Sequence, residues 1–192
     1  MKPIIRLAES DDAESLRALY ARYIDTEITF EMTLPGPLEY LRRVEDTRRE
    51  FPYLVCELDG RLIGYAYAHR IREREAYQWS AELSVYLDPD LTSRGLGHLL
   101  YGTLIRLLKL QNIRTVYGGI TGGNQVSVRF HEKQGFSCLG CFHNIGYKNG
   151  RWLDVLWYEK QIADYDDPLP CVRFELLDQA EVQAILDEAN AR

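Results

Sequence analysis

The chain has 192 residues, 46% hydrophobic and 27% charged, with a formal net charge of −6. That size suits one domain with at most a short appendage. The acidic balance argues against nucleic-acid binding, which usually shows a basic face, and no apolar run approaches the ~20 residues that cross a bilayer. The opening residues lack a long apolar core, so no signal peptide is read and a cytoplasmic location is expected.

In chain order, Ile4–Leu7 reads as a strand. Ser10 or Asp11 caps a helix expected to reach Ile24, with Leu16, Leu19, Tyr20 and Tyr23 on one face. An irregular loop follows, and then a charged helix over Leu38–Glu50, closed by Pro52. Tyr53–Leu58, the Asp59-Gly60 turn and Leu62–His69 have the pattern of a hairpin. Ser80–Leu87 is a further strand, after which Gly95 and Gly97 lead into a helix expected to run to Asn112. Thr115–Thr121 is a strand, followed by a helix to about Gln134 that Gly135 ends. Phe136–Ile145 and Trp152–Lys160 are the last two strands, joined by a Lys148-Asn149-Gly150 turn. Residues 163–170 form an acidic, proline-bearing linker to a terminal helix over Asp178–Ala191. The expected division is therefore 1–162 as one domain and 163–192 as an extension. The apolar stripe of that helix (Val182, Ile185, Leu186, Ala189) can pack on the core or on a second copy.

Chemistry is suggested first by the run Val85-Tyr86-Leu87-Asp88-Pro89 through Gly95-Leu96-Gly97-His98. A strand, a glycine loop and a helix in that order present unpaired backbone N–H groups at the positive end of a helix dipole, which suits a phosphate. Arg94 adds a positive charge. The loop has no Gly-Lys-Ser/Thr ending, so it is not a nucleotide P-loop. The Asn124–Phe136 segment repeats the strand-loop-helix layout, with Asn124 either a helix cap or a hydrogen-bond partner of a ligand amide. Glu82 lies mid-strand on one face with Ser84 and Tyr86, where a carboxylate is costly to bury without a purpose. The four cysteines are read as structural. Cys138-x-x-Cys141 followed by His143 has no second ligand pair to close a zinc site, and no metal is expected.

These motifs resemble a known family. Thr92-Ser93-Arg94-Gly95-Leu96-Gly97 matches most of the Q/R-x-x-G-x-G/A signature of the GCN5-related N-acetyltransferases, and the spacing of Asn124, Ser127, Phe130-His131 and Gly135-Phe136 matches their second motif. The runs 76–87, 127–132 and 147–155 are similar to the phosphinothricin N-acetyltransferase branch. The resemblance covers residues 3–161. It implies an α/β fold with a central mixed sheet of about seven strands flanked by helices, and direct transfer of acetyl from acetyl-CoA to the primary amine of a small amino-acid-like acceptor. Other acceptors (a protein N-terminus, a lysine, an aminoglycoside) and a catalytically weak acetyl-CoA-binding module are the alternatives. The implied partners are a small-molecule amine and, in related enzymes, a second copy in a homodimer.

The resemblance implies Glu82 as general base and His131 as the acid that meets the thiolate. The implied cofactor contacts are Val85, Tyr86, Leu87, Ser93, Arg94, Gly95, Leu96, Gly97, His98, Asn124, Ser127 and Phe130. The acceptor would meet Phe30, Tyr77 and Trp79, with Arg72 or Arg74 for a carboxylate. The chain departs from the family pattern at Thr92, where Gln or Arg is usual, at His131, where many members have Tyr, and at Leu153, often His in the branch. The first departure moves the expected phosphate grip to the backbone and Arg94.

Overall fold

A computed structural model describes residues 2–91 and 95–191. Seven strands form one sheet in the order β1-β2-β3-β4-β5-β7-β6. They are β1 (Ile4–Leu7), β2 (Tyr53–Leu58), β3 (Arg61–Arg70), β4 (Ser80–Leu87), β5 (Thr115–Thr121), β6 (Ser137–Lys148) and β7 (Arg151–Gln161). The helices are α1 (Ala13–Ala21), α2 (Pro37–Glu50), α3 (Leu96–Leu110), α4 (Gln125–Lys133) and α5 (Gln179–Ala191). All neighbouring strands run antiparallel except β4 and β5. The expected α/β architecture is therefore the observed one.

Alternation along the strands divides the interior in two. On one face Leu54, Cys56, Ala66, Ala68, Leu83 and Val116 pack with α3, α5 and the buried side of α4. On the other, α1 and α2 cover a tyrosine-rich layer with Tyr20, Tyr40, Tyr53 and Tyr65 at its centre. The stripe on α5 belongs to the first core: Val182, Ile185 and Leu186 are buried there, and α5 lies against α3 and β1. This stripe is consequently not a free surface for a second copy.

Two elements, the first helix and β6, differ in extent from the sequence expectation. The first helix begins with a 3-10 turn, Ser10–Asp12, because Asp12 is drawn to Arg6 (2.7 Å) and to the Glu9 N–H (2.8 Å). It ends at Ala21 rather than Ile24, where the chain passes into i→i+3 turns, Tyr23 N–H to Tyr20 O at 2.9 Å and Ile24 N–H to Ala21 O at 3.3 Å. β6 runs past Ile145 to Lys148 through an irregularity between Phe142 and Gly146. Lys148 is thus no turn residue: it pairs with Arg151, and its side chain is buried (3% exposed). No helix among the described residues is long and apolar enough to cross a membrane.

Candidate active site

The parallel pair β4 and β5 is joined only at Ser80↔Thr115, Ala81↔Val116 and Glu82↔Tyr117. Both strands continue for several residues beyond this point, to Leu87 and Thr121. On its other edge β4 remains paired with β3 as far as Gly64↔Leu87. The edge of β4 that faces β5 is therefore without a strand partner from Leu83 to Leu87 among the described residues. A gap opens in the sheet at the level of Glu82.

The start of α3 lies at the Leu87 end of this gap: a Cβ on Gly97 would be 3.6 Å from the Leu87 side chain. Gly95 has φ 79° and precedes α3, a left-handed conformation that glycine adopts without penalty. The first internal bond of the helix is Leu99 N–H to Gly95 O, 3.0 Å. The N–H groups of Leu96, Gly97 and His98 therefore have no acceptor within the helix. The Leu96 side chain is buried (6% exposed), so this residue offers its backbone. A Cβ on Gly97 would stand 3.1 Å from the Phe130 ring; glycine there lets α3 and α4 approach closely. His98 is exposed and accepts a bond from Gln134 Nε2 at 2.6 Å. Asn124 caps α4 by accepting from the Ser127 N–H, 3.1 Å. Thr92, Ser93 and Arg94 lie outside the described residues.

Glu82 and His131 stand on opposite faces of the sheet. His131 lies under β5, with Gly118 against its ring: a Cβ there would be 2.7 Å from Nε2. Its Nδ1 lies 2.9 Å from Ser127 O and its Nε2 3.1 Å from the Tyr101 hydroxyl. A carbonyl can only accept, so Nδ1 carries the proton and Nε2 receives the Tyr101 O–H. Burial pulls His131 below the ordinary imidazole range, against the opposing pull of the Ser127 carbonyl. It is a neutral, enclosed ring whose one N–H is already used. The Tyr101 hydroxyl, also 3.4 Å from Leu83 O, is the group that reaches the parting of the strands. Sequence reasoning had no signal for Tyr101, which sits among the apolar residues of α3.

Glu82 faces the tyrosine layer. Across β3 the pairs are His69↔Glu82, Tyr67↔Ser84 and Tyr65↔Tyr86. Gly119, next to Gly118, lies beneath the carboxylate: a Cβ there would be 3.3 Å from Oε1. Among the described residues the Glu82 carboxylate makes no hydrogen bond or ion pair. Burial pushes its protonation upward, opposed by the positive fields of His69 and Arg72. Of the two arginines only Arg72 exerts its field on Glu82; no interaction joins Arg74 to Glu82 among the described residues. Beside His69 and Tyr67 a cavity of about 430 Å³ is lined by Tyr20, Tyr40, Tyr65 and Glu31. Burial pushes the Tyr40 hydroxyl up to about 12, so it is a donor at neutral pH.

The loop carrying Phe30 is held by a polar clamp that sequence reasoning missed. Lys148 Nζ donates to Ile24 O (2.7 Å), Thr29 O (2.7 Å) and Glu31 O (2.9 Å). Three acceptors require the three-proton ammonium. Asn149 Nδ2 bonds Asp25 O at 3.1 Å, and Arg151 pairs with Glu27. The Phe30 ring then lies over Gly146, where a Cβ would meet it at 2.5 Å; Gly146 pairs with buried Leu153. Two expected acceptor contacts are placed elsewhere. Tyr77 is exposed on a 3-10 turn, and the Trp79 indole N–H donates to Leu169 O, 2.8 Å, in the linker. Among the described residues no hydrogen bond or ring contact joins either to Phe30 or Glu82.

Residues 5–157 match the acetyltransferase (GNAT) domain family. The chain belongs to the GNAT acetyltransferases. It is 34% identical over 169 residues to a phosphinothricin N-acetyltransferase of Alcaligenes faecalis, covering 86% of each chain. It is 30% identical over 162 residues to an L-methionine sulfoximine/L-methionine sulfone acetyltransferase of Pseudomonas aeruginosa, covering 83% of this chain and 94% of the relative. Among solved structures, a phosphinothricin acetyltransferase from Sinorhizobium meliloti in complex with acetyl-CoA superposes with a TM-score of 0.85 at 29% identity, covering 92% and 98% of the two chains. The chain is thus a GNAT N-acetyltransferase of the phosphinothricin acetyltransferase type.

Proposed function

We propose that this enzyme moves the acetyl group of acetyl-CoA to the primary amine of a small amino-acid-like acceptor, of the phosphinothricin or methionine sulfoximine kind. One observation carries the reading: a desolvated carboxylate, Glu82, with no hydrogen-bond partner among the described residues, stands where β4 and β5 part and directly opposite His69. The open edge of β4 suits the pantetheine amides, which would pair with it as an added strand does. The N–H groups of Leu96, Gly97 and His98, which have no acceptor within the helix, suit the pyrophosphate, and Ser93 and Arg94 precede them in sequence. A backbone N–H near Tyr86 or Leu87 would meet the developing oxyanion.

Glu82 takes a proton from the bound ammonium, and the freed amine attacks the thioester carbonyl directly. No acyl-enzyme is invoked: Cys56 is buried in β2, Cys138 and Cys141 lie on β6, and Cys171 lies in the linker. The departing thiolate needs an acid only modestly, since a thiol of this kind has a pKa near ~8.5. Tyr101 can turn its O–H from His131 toward the departing sulfur as a hydrogen-bond donor, while burial keeps the hydroxyl itself protonated. Arg72, whose charge acts on Glu82, suits an acceptor carboxylate, with His69 opposite Glu82 across the β3–β4 pair. Four free thiols agree with a reducing cytoplasm.

A homodimer belongs to the same reading, supported by the exposed apolar side chains Leu139, Phe142 and Ile145 on edge strand β6. Light scattering of the purified chain tests it, and a monomer at all concentrations contradicts it. For the activity, release of CoA thiol is followed with phosphinothricin and methionine sulfoximine. Glu82→Gln should lower turnover by about 100-fold or more while acetyl-CoA binding persists. Equal rates for the two proteins would remove Glu82 from the mechanism.

A further inference from the structure

The Cys138-x-x-Cys141-x-His143 run has no part in acetyl transfer, yet the fold gives its last two donors a third. Cys141 Sγ lies 3.5 Å from His143 Nδ1, which lies 3.2 Å from Asp154 Oδ2 on β7. All three atoms lie within 4.8 Å of one another. The irregularity in β6 brings them together: Phe142↔Val155 and Gly146↔Leu153 are paired, so residues 143–145 bulge opposite Asp154. In this bulge Asn144 takes φ 50° and its N–H donates to Asp154 Oδ1, 2.8 Å. One carboxylate oxygen is thereby fixed and the other is turned to His143. The Asp154 carbonyl accepts from the Gly122 N–H at 2.8 Å, and a Cβ on Gly122 would stand 3.1 Å from Asp154 Cβ. The donor set is therefore braced from beneath by the turn that begins α4.

Zinc binds sulfur at about 2.3 Å and nitrogen or oxygen at about 2.0–2.1 Å, tetrahedrally, which separates neighbouring ligand atoms by roughly 3.3–3.6 Å. The observed 3.5 and 3.2 Å are close to those separations. We propose that Cys141, His143 and Asp154 bind one borderline-soft divalent cation of the zinc type, with a solvent molecule in the fourth position. On binding, the Cys141 thiol yields its proton to solvent. Thiolate, neutral imidazole and carboxylate then balance the two positive charges of the ion. His143 is exposed, so the ion enters without rearrangement of the core. Occupancy would tie β6 to β7 across the bulge and, through Asp154, to the Gly122-Gly123 turn. The Asn144 N–H serves as the outer contact that orients the carboxylate.

The reduced, full-length protein is titrated with Co²⁺, read by its thiolate-to-metal charge-transfer band, and with Zn²⁺ by calorimetry. One equivalent per chain should bind, and Zn²⁺ should displace Co²⁺. Cys141→Ser, His143→Ala and Asp154→Asn should each weaken binding by about ten-fold or more, whereas Cys138→Ser should leave it unchanged. Circular dichroism confirms that each variant is folded; His143→Ala, at the surface, serves if Asp154→Asn disturbs the bulge. Absence of saturable one-equivalent binding, or binding that survives these substitutions, overturns the proposal and leaves a hydrogen-bonded cluster only. Neither result depends on the acetyl acceptor.

Discussion

Gly118 and Gly119 are adjacent on β5, and each lies against a titratable side chain, but on opposite faces of the sheet. Beneath the strand, His131 is 4% exposed with both ring nitrogens engaged. Above it, Glu82 is also desolvated but has no hydrogen-bond partner among the described residues. Burial pulls the imidazole down and pushes the carboxylate up; both shifts favour the neutral form. What separates the two is satisfaction: the enclosed ring has its bonds, while the carboxylate has none among the described residues. Desolvation without a partner is what equips a group to exchange a proton with a substrate.

Beyond the Glu82→Gln loss, the largest effect that would break this contrast concerns how the open face is built. The closed face rests on apolar packing, whereas the loop over the open face depends on one ammonium and three carbonyls. Lys148→Met should cost about 2–4 kcal/mol, a fall in Tm of roughly 5–15 °C at this chain length, and raise KM for the acceptor more than for acetyl-CoA. Calorimetry and steady-state kinetics check both parts. An unchanged Tm would mean that the clamp is dispensable.

The two glycines sharpen the contrast further. Gly118→Ala forces the buried His131 ring to shift and should destabilise by about 1–3 kcal/mol, with activity per folded molecule nearly retained. Gly119→Ala is crowded by the end of the flexible Glu82 side chain, 3.3 Å away, with Trp157 and Val155 in ordinary contact at 3.6 Å. It should leave Tm within about 2 °C and lower turnover several-fold, up to about ten-fold, by displacing the carboxylate. The reverse pattern would show that the two faces have been assigned the wrong way round. Tyr101→Phe should have the smallest kinetic effect, less than about ten-fold in turnover, because the thiol leaves readily without an acid. A larger loss would make Tyr101 an essential proton donor.

Much of this was legible in the chain. β4 over Ser80–Leu87 and β5 over Thr115–Thr121 coincide with their sequence readings, because strand-forming runs there end at a proline turn and a glycine pair. The face shared by Glu82, Ser84 and Tyr86 followed from a period of two. What the alternation could not show was register. His69 opposite Glu82 and Asp154 beside the bulge arise from pairing between distant segments. Gly118-Gly119 carries no local mark of the two side chains that need the space. Lys148 was misread because Lys-Asn-Gly has the composition of a turn, and only the tertiary fold brings the α1–α2 loop over its ammonium. The Trp79 indole bond was illegible for a similar reason, since its partner Leu169 comes from a linker some ninety residues away.

The central claim is that Glu82, desolvated and unpaired, is the base. Its direct test is the pH dependence of kcat at saturating acetyl-CoA and acceptor, for the enzyme and for Glu82→Gln. A base must be ionised to act, and burial raises the pH at which this carboxylate takes up its proton. The account predicts an acid limb in which activity falls away above the usual carboxylate range, and no such limb in the residual rate of the variant. The same limb in both proteins would contradict it.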